Sequence, residues 1–569
     1  MELQLRISGL HYQQLKHHLF PSDGKEAVAI ALCGRFSNID AEYLLVHDIT
    51  LIPNEECKNR EDDIITWSTK RIEPYFERIA RSDLALLKIH SHPGGYSQFS
   101  ETDDYSDQEF FDSAFGWSIS EKPHASAVML PSGEIFGRFF FSDLHHEPIN
   151  RILIADDVIQ IFSNTNRLET SEFAKRTIQA FGERTYNSLN NLSVGVIGCS
   201  GTGSPTIEQL VRLGVKKIVL VDPDLIEEKN LNRILNSTME EAKRKFSKVS
   251  VLAKAIKNIG LGTSVEIFQN NLYDNIKVVK ALIECDILFG CMDSVDGRHL
   301  LNQLCSFYLI PYFDIGVKLE ADGKGSIDQI CATVNYIQPG KSSLISRGLY
   351  TIEDLRASSQ FRKNPEEFEN LKRNAYIKNV NVNNPAVISI NMQIASHAIN
   401  DFLNRIHPYK KEHPSQYASS TIDISNGYIV NSSESSFEVD PYLRKKSGRG
   451  DMLPFVEISE LFYFYTGLKL FIWWHQRPKI FYLTEFPAKV NDKSYYIIGD
   501  KNPWLIVFKC PCGCRSTIHL NLIPDAYPKW RFKVHKNKIS IFPSISRTTG
   551  CKSHFIVRDS KIIWSCREW

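Results

Sequence analysis

The chain has 569 residues, enough for about three domains that each bury a core. Its 67 Lys and Arg against 66 Asp and Glu give a net charge of +1, which argues against nucleic acid or an anionic membrane as a general partner. No apolar run approaches the roughly 20 residues that span a bilayer. Several of the 12 cysteines fall in predicted buried strands, and the N-terminus shows no charged-then-apolar leader, so we expect a reduced, cytoplasmic protein.

Residues 1–145 alternate strand-like runs with polar stretches, which predicts an α/β domain. One strand ends in HSHP and is soon followed by SETD. His90 and His92, at positions i and i+2 of the strand end, point the same way, so both imidazoles can reach one ion. With Asp103 as a third ligand and a fourth position left for water, this pattern is typical of a catalytic rather than a structural zinc site.

The HSHP and SETD pattern resembles the JAB/MPN metalloproteases, also called JAMM deubiquitinases. The resemblance implies that Ser100 hydrogen-bonds the tetrahedral intermediate and that a general base lies on an early strand. Glu26, in KEAVAIALCGRF, is the matching carboxylate, and Glu42 is the alternative. A chance HxH in a surface loop and a metal-free docking domain are the other readings of these residues.

Residues 146–190 predict an ordered connector that ends in a helix. Residues 192–233 then predict a strand, a glycine-rich turn, a helix, a second strand and an acidic loop. The turn lets the backbone approach a phosphate at the N-terminus of the helix. Asp222 follows the second strand, where a nucleotide ribose would be bound. The glycines of the turn are Gly198, Gly201 and Gly203.

The acidic loop, VDPDLIEEKNLNR, makes the resemblance specific. From about Glu172 to Arg405 the chain resembles the ThiF/MoeB superfamily of ubiquitin-activating enzymes, which adenylate the C-terminal carboxylate of a ubiquitin-like protein. A doubly wound, Rossmann-like α/β adenylation domain over residues 191–405 is implied, with ATP and Mg²⁺ as cofactors. The implied nucleotide-binding residues are Gly198, Gly201, Gly203, Asp222, Asp224, Asn230, Arg233, Lys248 and Asp293.

The resemblance also implies individual roles. Arg233 and Lys248 act catalytically, with Lys248 contacting the phosphates, and Asp293, at the end of a buried strand, holds Mg²⁺. Arg298 and Asp314 support them. Arg176 falls where relatives often carry an arginine that reaches the ATP of a second subunit, which would imply a homodimer; a solvated charge on an exposed helix explains it equally well.

Two departures from the superfamily stand out. Ser200 replaces a common glycine, and no cysteine occurs from Ala332 to Lys509, where a thioester-forming nucleophile would lie. Cys331 is the one remaining candidate thiol, because packing explains the other central cysteines better. We therefore expect an enzyme that stops at the adenylate or passes the modifier to a conjugating-enzyme-like partner. The cysteines read as packing are Cys199, Cys285, Cys291 and Cys305.

The remainder predicts an exposed linker over residues 406–454, including a solvated RKKSGRG, and a small β-rich domain over residues 455–569. The latter resembles an uncharacterised bacterial zinc-binding β domain encoded beside ubiquitin-like conjugation genes. Its cysteines and histidine are typical of a closed structural zinc site, and a disulfide is the alternative. The preferred ligands are Cys512, Cys514, Cys551 and His554, with Cys510 as a substitute and Cys566 nearby.

Taken together, the sequence predicts a bifunctional enzyme of a bacterial ubiquitin-like pathway. The metalloprotease would trim a modifier precursor or remove conjugated modifier, and the central domain would activate the modifier. The resemblance further implies an association with antiphage defence. Two alternatives stay open: activation of a sulfur-carrier protein for cofactor or cysteine biosynthesis, and a scaffold without enzymatic activity.

Overall fold

A computed structural model shows two compact units, residues 1–461 and 462–569. The structure describes the chain apart from residues 63, 164–171, 322–325, 352–353, 356, 359–386, 452–478, 488–489, 492–493, 501, 512–515, 524–528, 536–537, 548–553, 559 and 565–569. Among the described helices, none is both long and apolar enough to cross a membrane.

The first part of the chain forms a nine-stranded mixed sheet in the order β11-β10-β1-β3-β2-β6-β7-β8-β9, with a separate hairpin of β4 and β5. Helix α1 covers one face of this sheet, and α2 and α3 cover the other. The elements are β1 Glu2–Ser8, α1 Gly9–Leu19, β2 Val28–Ser37, β3 Ala41–Leu51, β4 Asn59–Arg60, β5 Ile65–Thr66, α2 Glu73–Ile79, β6 Ala85–Ser91, α3 Glu101–Trp117, β7 His124–Met129, β8 Ile135–Phe140, β9 His146–Pro148, β10 Arg151–Ala155 and β11 Gln160–Ser163.

The first sheet continues beyond the predicted boundary at residue 145. Strand β10 pairs in parallel with β1, and β11 pairs with β10. The prediction of a connector over residues 146–190 is therefore wrong for residues 146–163, which complete the sheet. The predicted helix at the end of the connector is present as α4, Lys175–Asn190.

The central part forms an eight-stranded sheet in the order β14-β13-β12-β15-β16-β17-β18-β19. Neighbouring strands are parallel from β14 to β16 and antiparallel from β16 to β19. The elements are β12 Ser193–Ile197, α5 Gly203–Arg212, β13 Lys217–Val221, α6 Met239–Lys243, α7 Lys248–Ile259, β14 Ser264–Phe268, α8 Ile276–Ile283, β15 Ile287–Gly290, α9 Val295–Tyr308, β16 Tyr312–Ala321, β17 Ile327–Ile337, α10 Ile388–Ile406, β18 Ser419–Asp423, β19 Tyr428–Ser432 and α11 Pro441–Lys446.

The parallel part of this sheet is doubly wound. Helices α5, α7 and α10 pack on one face, and α8 and α9 pack on the other. In chain order its strands run 3-2-1-4-5, so the winding direction changes between β12 and β15. Ligands of open α/β sheets bind at such a switch point, beyond the carboxyl ends of the strands. The Rossmann-like fold predicted for the central part is confirmed.

The expected exposed linker over residues 406–454 is wrong for residues 406–451, the part of it that the structure describes. Strands β18 and β19 complete the central sheet, and Leu443 of α11 lies in its core. Residues 447–451, which we call the strap, hydrogen-bond to both parts of the first unit. The Gly448 amide donates to Ser306 of α9, while its carbonyl accepts from Gly34 of β2. The predicted solvation of RKKSGRG therefore fails at Ser447, Gly448 and Gly450, which are buried.

The two sheets of the first unit also share a core. Phe36, Tyr43 and Leu45 of the first sheet pack with residues of α8 and α9. Arg6, only 1% exposed, donates to the carbonyl oxygens of Ile283 (3.0 Å), Cys285 (3.2 Å) and Tyr308 (3.2 Å). A buried cation that satisfies three backbone acceptors fixes the orientation of the two sheets.

The second unit contains two four-stranded sheets, β20-β21-β22-β23 and β24-β25-β26-β27. Their inner faces share one apolar core, which includes Ile497, Phe508, Ile541 and Phe555. The strands are β20 Lys479–Leu483, β21 Ser494–Ile498, β22 Leu505–Lys509, β23 Thr517–Asn521, β24 Arg531–His535, β25 Lys538–Ser546, β26 His554–Arg558 and β27 Lys561–Trp564.

Candidate active sites

Two histidines and two carboxylates meet at the end of β6. His90 Nε2 lies 3.1 Å from His92 Nε2, and the Asp103 carboxylate lies 2.9 Å from the first and 3.3 Å from the second. Glu26, two residues before the start of β2, is 3.9 Å from His92 Nε2. Register explains the convergence, because His90 pairs with Val28, two residues after Glu26, and such residues point to one face of the sheet.

The donor atoms of this cluster suit a metal ion. Glu26, His90 and His92 each offer a ligand atom, and all three residues are buried. His92 Nδ1 lies 2.7 Å from the Tyr96 carbonyl, so it carries the proton and leaves the Nε2 lone pair facing the cluster. Burial lowers the pKa of His90, which keeps that imidazole neutral. Burial opposes the charged form of His92, but the Asp103 carboxylate and the Tyr96 carbonyl outweigh it and raise its pKa. Two imidazoles and a carboxylate at these distances are a ligand set for zinc once His92 has given up its Nε2 proton.

Ser100 lies beside Asp103, whereas the alternative base Glu42 lies outside the cluster. Ser100 is the N-cap of α3: its hydroxyl donates to Asp103 at 2.8 Å and accepts from the Asp103 amide at 3.1 Å. This capping box orients Asp103 toward the histidines, so Ser100 has a structural part in the cluster besides its predicted catalytic one. Glu42 pairs with Arg35 at 3.8 Å and lies outside the cluster, which leaves Glu26 as the carboxylate in place.

The glycine-rich turn between β12 and α5 lies at the switch point of the central sheet. Gly198 has a φ of +92°, and a Cβ there would lie 2.3 Å from the Cys291 carbonyl, in the segment after β15. A Cβ on Gly203 would lie 1.8 Å from the Gly198 carbonyl. Glycine is therefore required at both positions. The turn closes against the neighbouring segment, and its first two amides donate to the Val221 carbonyl and to Asp222. A glycine backbone of this kind can approach a phosphate closely.

The predicted ribose carboxylate and phosphate lysine meet beside this turn. Asp222 accepts from the Cys199 amide at 2.7 Å, and Lys248 Nζ lies 3.7 Å from Asp222 and 2.7 Å from Asp224. Lys248 begins α7 and is buried, as is Asp222. Burial raises the pKa of Asp222, and the Lys248 ammonium opposes that rise.

Asp293 follows β15 and keeps an open path to solvent. Enclosure by the surrounding protein raises its pKa, and the positive charges of Arg298 and Arg233 oppose the rise. Arg298 is held by the fully buried Asp314, with Nε 2.7 Å from Oδ1. An exposed carboxylate at the switch point can hold a hard divalent cation together with phosphate oxygens.

Arg233 and Asn230 shape the loop after β13. Arg233 donates to the Lys229 carbonyl at 3.0 Å, and its Cδ lies 3.3 Å from the position of a Cβ on Gly201. Asn230 is buried and accepts from the Glu227 amide at 3.0 Å. Arg233 is therefore beside the glycine turn, while the Asn230 side chain maintains the loop.

The remaining predicted residues stand apart from these clusters. Arg176 is exposed on the first turn of α4. Cys331 lies in the middle of β17, between Lys318 and Asp423 of the neighbouring strands. Burial raises the pKa of Cys291 to about 12, as expected for a packing residue. Cys199, Cys285 and Cys305 are buried.

The predicted C-terminal zinc site falls largely outside the described residues. Cys512, Cys514, Cys551 and Cys566 lie there, as does the side chain of His554. Cys510 is buried at the end of β22, where its amide donates to the Ser516 carbonyl at 2.8 Å. The ligand set remains a prediction.

The sequence did not single out two features of these sites. Lys88, Asp107 and Arg138 form a buried charged cluster next to His90. Asn391 of α10 lies against the glycine turn, since a Cβ on Gly201 would be 2.4 Å from its Nδ2. The sequence offered two signals for these features: a lysine, Lys88, inside an apolar strand, and an asparagine, Asn391, on an apolar helix.

The central part is a doubly wound α/β domain with a glycine turn at its switch point, and residues 174–419 match the model of the ThiF family. Residues 482–565 match a second family, described as "Bacterial ubiquitination-like system serine protease (BubE)". Curated relatives include ubiquitin-like modifier-activating enzyme 5 of Culex quinquefasciatus, 29% identical over 175 residues, and of Dictyostelium discoideum, 28% identical over 169 residues. These matches cover 28% of this chain and 40% and 42% of the relatives.

Solved structures that resemble the chain include E. coli MccB with ATP. The identity is 17% and the TM-score 0.36, with 48% of this chain and 73% of that chain covered.

Proposed function

We propose that this protein is a bifunctional enzyme of a bacterial ubiquitin-like pathway. The central domain adenylates the C-terminal carboxylate of a ubiquitin-like protein, and the N-terminal domain is a zinc-dependent protease that processes the modifier or releases it from conjugates. The ThiF family match and the names of the curated relatives support the first activity. The match of residues 482–565 supports the pathway.

The observation that carries the adenylation proposal is the arrangement at the switch point. In this reaction a carboxylate oxygen attacks the α-phosphorus of ATP, the bond between the α-phosphorus and the bridging oxygen breaks, and pyrophosphate leaves. Lys248 and Arg233 would neutralise charge on the phosphates, and Asp222 would accept the ribose hydroxyls. Asp293 would hold Mg²⁺, which when bound supplies further neutralisation of phosphate charge.

The protease proposal rests on the cluster at the end of β6. His90, His92 and Asp103 would hold zinc, which when bound supplies Lewis-acid activation of water and of the scissile carbonyl. Glu26 is within reach of the same position and would accept the proton of the attacking water. His92 is oriented by the Tyr96 carbonyl and Asp103 by its capping box with Ser100.

The acceptor of the adenylated modifier is proposed to be a conjugating-enzyme-like partner in the cytoplasm. The sequence has no cysteine between Ala332 and Lys509 that could form a thioester on a crossover loop. A homodimer in which Arg176 reaches the neighbouring nucleotide is part of the same proposal, as is a structural zinc ion in the C-terminal domain.

Exchange of radioactive pyrophosphate into ATP tests the activating function. Candidate ubiquitin-like proteins encoded beside this gene serve as the substrates of the assay. Exchange should require the intact modifier C-terminus and should be lost in Asp293→Ala. Asp112→Ala, which removes an exposed carboxylate of α3, is the matched control and should exchange normally. If no candidate modifier supports exchange, the adenylation proposal fails and a scaffold is the better description.

A further inference from the structure

A buried charged cluster lies beside the histidines and is not used by the proposed chemistry. Lys88 and Arg138 are each 4% exposed, and Asp107 is fully buried. Lys88 Nζ donates to Asp107 Oδ1 at 2.8 Å, and Arg138 Nη2 donates to Oδ2 at 2.7 Å. Apolar residues of similar volume generally serve stability as well as a buried charged cluster does. Stability alone therefore does not explain these three residues.

The register of β6 and α3 links this cluster to the proposed ligands. Lys88 precedes His90 by two residues on β6, so both side chains lie on the same face. Asp107 follows Asp103 by four residues on α3, so both face the sheet. Two neighbouring contacts therefore join β6 to α3. Lys88 contacts Asp107 at 2.8 Å, and His90, two residues further along β6, contacts Asp103, one helical turn earlier in α3, at 2.9 Å.

Arg138 ties the start of α3 to a second strand. It lies in one row with Lys88 across β6, β7 and β8, through Ser126. Its guanidinium also stacks over the ring of Phe99, 3.8 Å from the centroid, directly before the N-cap Ser100. Arg138 therefore holds both the segment that enters α3 and the second turn of the helix.

The rest of α3 packs through apolar residues. Phe110, Phe111 and Ala114 lie against Val28 and Leu86 of the sheet. Such contacts are not directional, so they hold the helix on the sheet without fixing its axial position. The hydrogen bonds of Lys88 and Arg138 to Asp107 are directional, so they fix the axial position of the helix at the end that carries Asp103.

We propose that Lys88, Asp107 and Arg138 are positioning residues for the N-terminal metal centre. They fix the first turns of α3 against β6 and β8, so that the Asp103 carboxylate reaches both histidine Nε2 atoms. The inference rests on the proposed zinc-dependent function of this domain. A ligand set of this kind must be held within about 0.5 Å of its working geometry, which an apolar helix contact does not guarantee.

The test is the zinc affinity of the full chain, measured by competition with a chromogenic chelator. The double variant Lys88→Met/Asp107→Leu replaces the ion pair with apolar groups, and its thermal unfolding without metal reports folding. Asp112→Leu makes a similar change on the exposed face of α3 and is the matched control. The variant His90→Ala/His92→Ala reports the amount of zinc that binds elsewhere on the chain. This amount is subtracted from the zinc bound by each other variant.

We expect the double variant to fold with a lowered melting temperature, because Arg138 loses Asp107 and keeps Asp104 as its partner. Below that temperature it should bind zinc at the histidine site roughly 10- to 100-fold more weakly. Asp112→Leu should match wild type. Wild-type affinity in a folded double variant would overturn the inference while leaving the zinc proposal intact. Absence of histidine-dependent zinc binding in wild type would overturn both.

A third variant covers the case in which the double variant does not fold. Asp107→Glu keeps every charge but lengthens the carboxylate arm by one methylene, which displaces the helix from Lys88. Zinc affinity should again fall, and an unchanged affinity would overturn the inference.

Discussion

Lys248→Met removes the ammonium nearest the proposed phosphate site while it retains most of the side-chain volume. Lys248 is 7% exposed, and its Nζ lies 3.7 Å from the Asp222 carboxylate, which is 6% exposed. Unit charges at this distance interact by about 4.5 kcal/mol at an effective dielectric constant of about 20, an upper limit for this pair. The closer pair with Asp224 is discounted, because that carboxylate is 64% exposed and screened by water.

The expected loss of adenylation follows from the position of Lys248 beside the glycine turn. Removal of a preorganised donor to developing charge costs about 3 to 4 kcal/mol, or roughly 10²- to 10³-fold in kcat. The rate of pyrophosphate exchange with a cognate modifier measures this loss of activity. Lys254→Met is the matched control on the same helix, since Lys254 is 64% exposed and pairs with Glu241, at 3.0 Å. A rate within threefold of wild type in Lys248→Met would refute the assigned role.

The same variant makes a prediction about pH. Burial raises the pKa of Asp222 and Lys248 lowers it, so the pKa rises further when Lys248 is removed. Asp222 accepts ribose hydroxyls best as a carboxylate. The KM for ATP of Lys248→Met should therefore increase as the pH falls, and the increase should begin at a higher pH than in wild type. Identical pH profiles of KM would contradict the proposed contact between Asp222 and the ribose.

Three further substitutions test other parts of the first unit. Glu26→Gln should reduce cleavage of a modifier with a C-terminal extension by roughly 10²- to 10⁴-fold, because the proton acceptor is lost; cleavage that survives both this change and a chelator would exclude the metal mechanism. Asp314→Leu should destabilise the first unit by about 3 kcal/mol, because Arg298, whose side chain is 15% exposed, is left as a largely enclosed unpaired charge. The melting temperature should recover in Asp314→Leu/Arg298→Met, and no recovery would show that the pair is not the cause. Arg6→Met should leave three buried carbonyls without their donor, at about 1 to 3 kcal/mol each, so that hydrogen exchange quickens at the ends of α8 and α9; unchanged exchange there would mean that the apolar core alone joins the two sheets.

The central fold could be predicted from sequence because its signals are local. The run Val194–Ile197, the glycine turn and Lys217–Val221 specify a strand, a turn and a strand within some 30 residues, and the structure has β12 and β13 there. The spacing of His90, His92 and Asp103 likewise predicted residues that meet. In both cases the position along the chain already determines which face a side chain occupies.

The strap and the charged cluster beside His90 could not be predicted in the same way. Glycines and basic residues in RKKSGRG have the composition of a linker, and only the approach of Val46 and Ser306, distant in sequence, buries Gly448. Lys88 interrupts an apolar strand, and its partner Asp107 becomes evident only when α3 is laid on the sheet. Contacts between residues that are distant in the sequence determine the burial of these residues, and a local sequence pattern gives no information about such contacts.

The antiparallel extension of the central sheet limits how this protein can be divided. Strand β18 pairs with β17 from Cys331 to Asn335, and β19 then covers β18. A chain that stops at residue 405 would leave the backbone of β17 without its partner, and such open edges recruit strands from other molecules. Truncation there is expected to give aggregates, so the two proposed activities are better separated by point substitutions in the 569-residue chain.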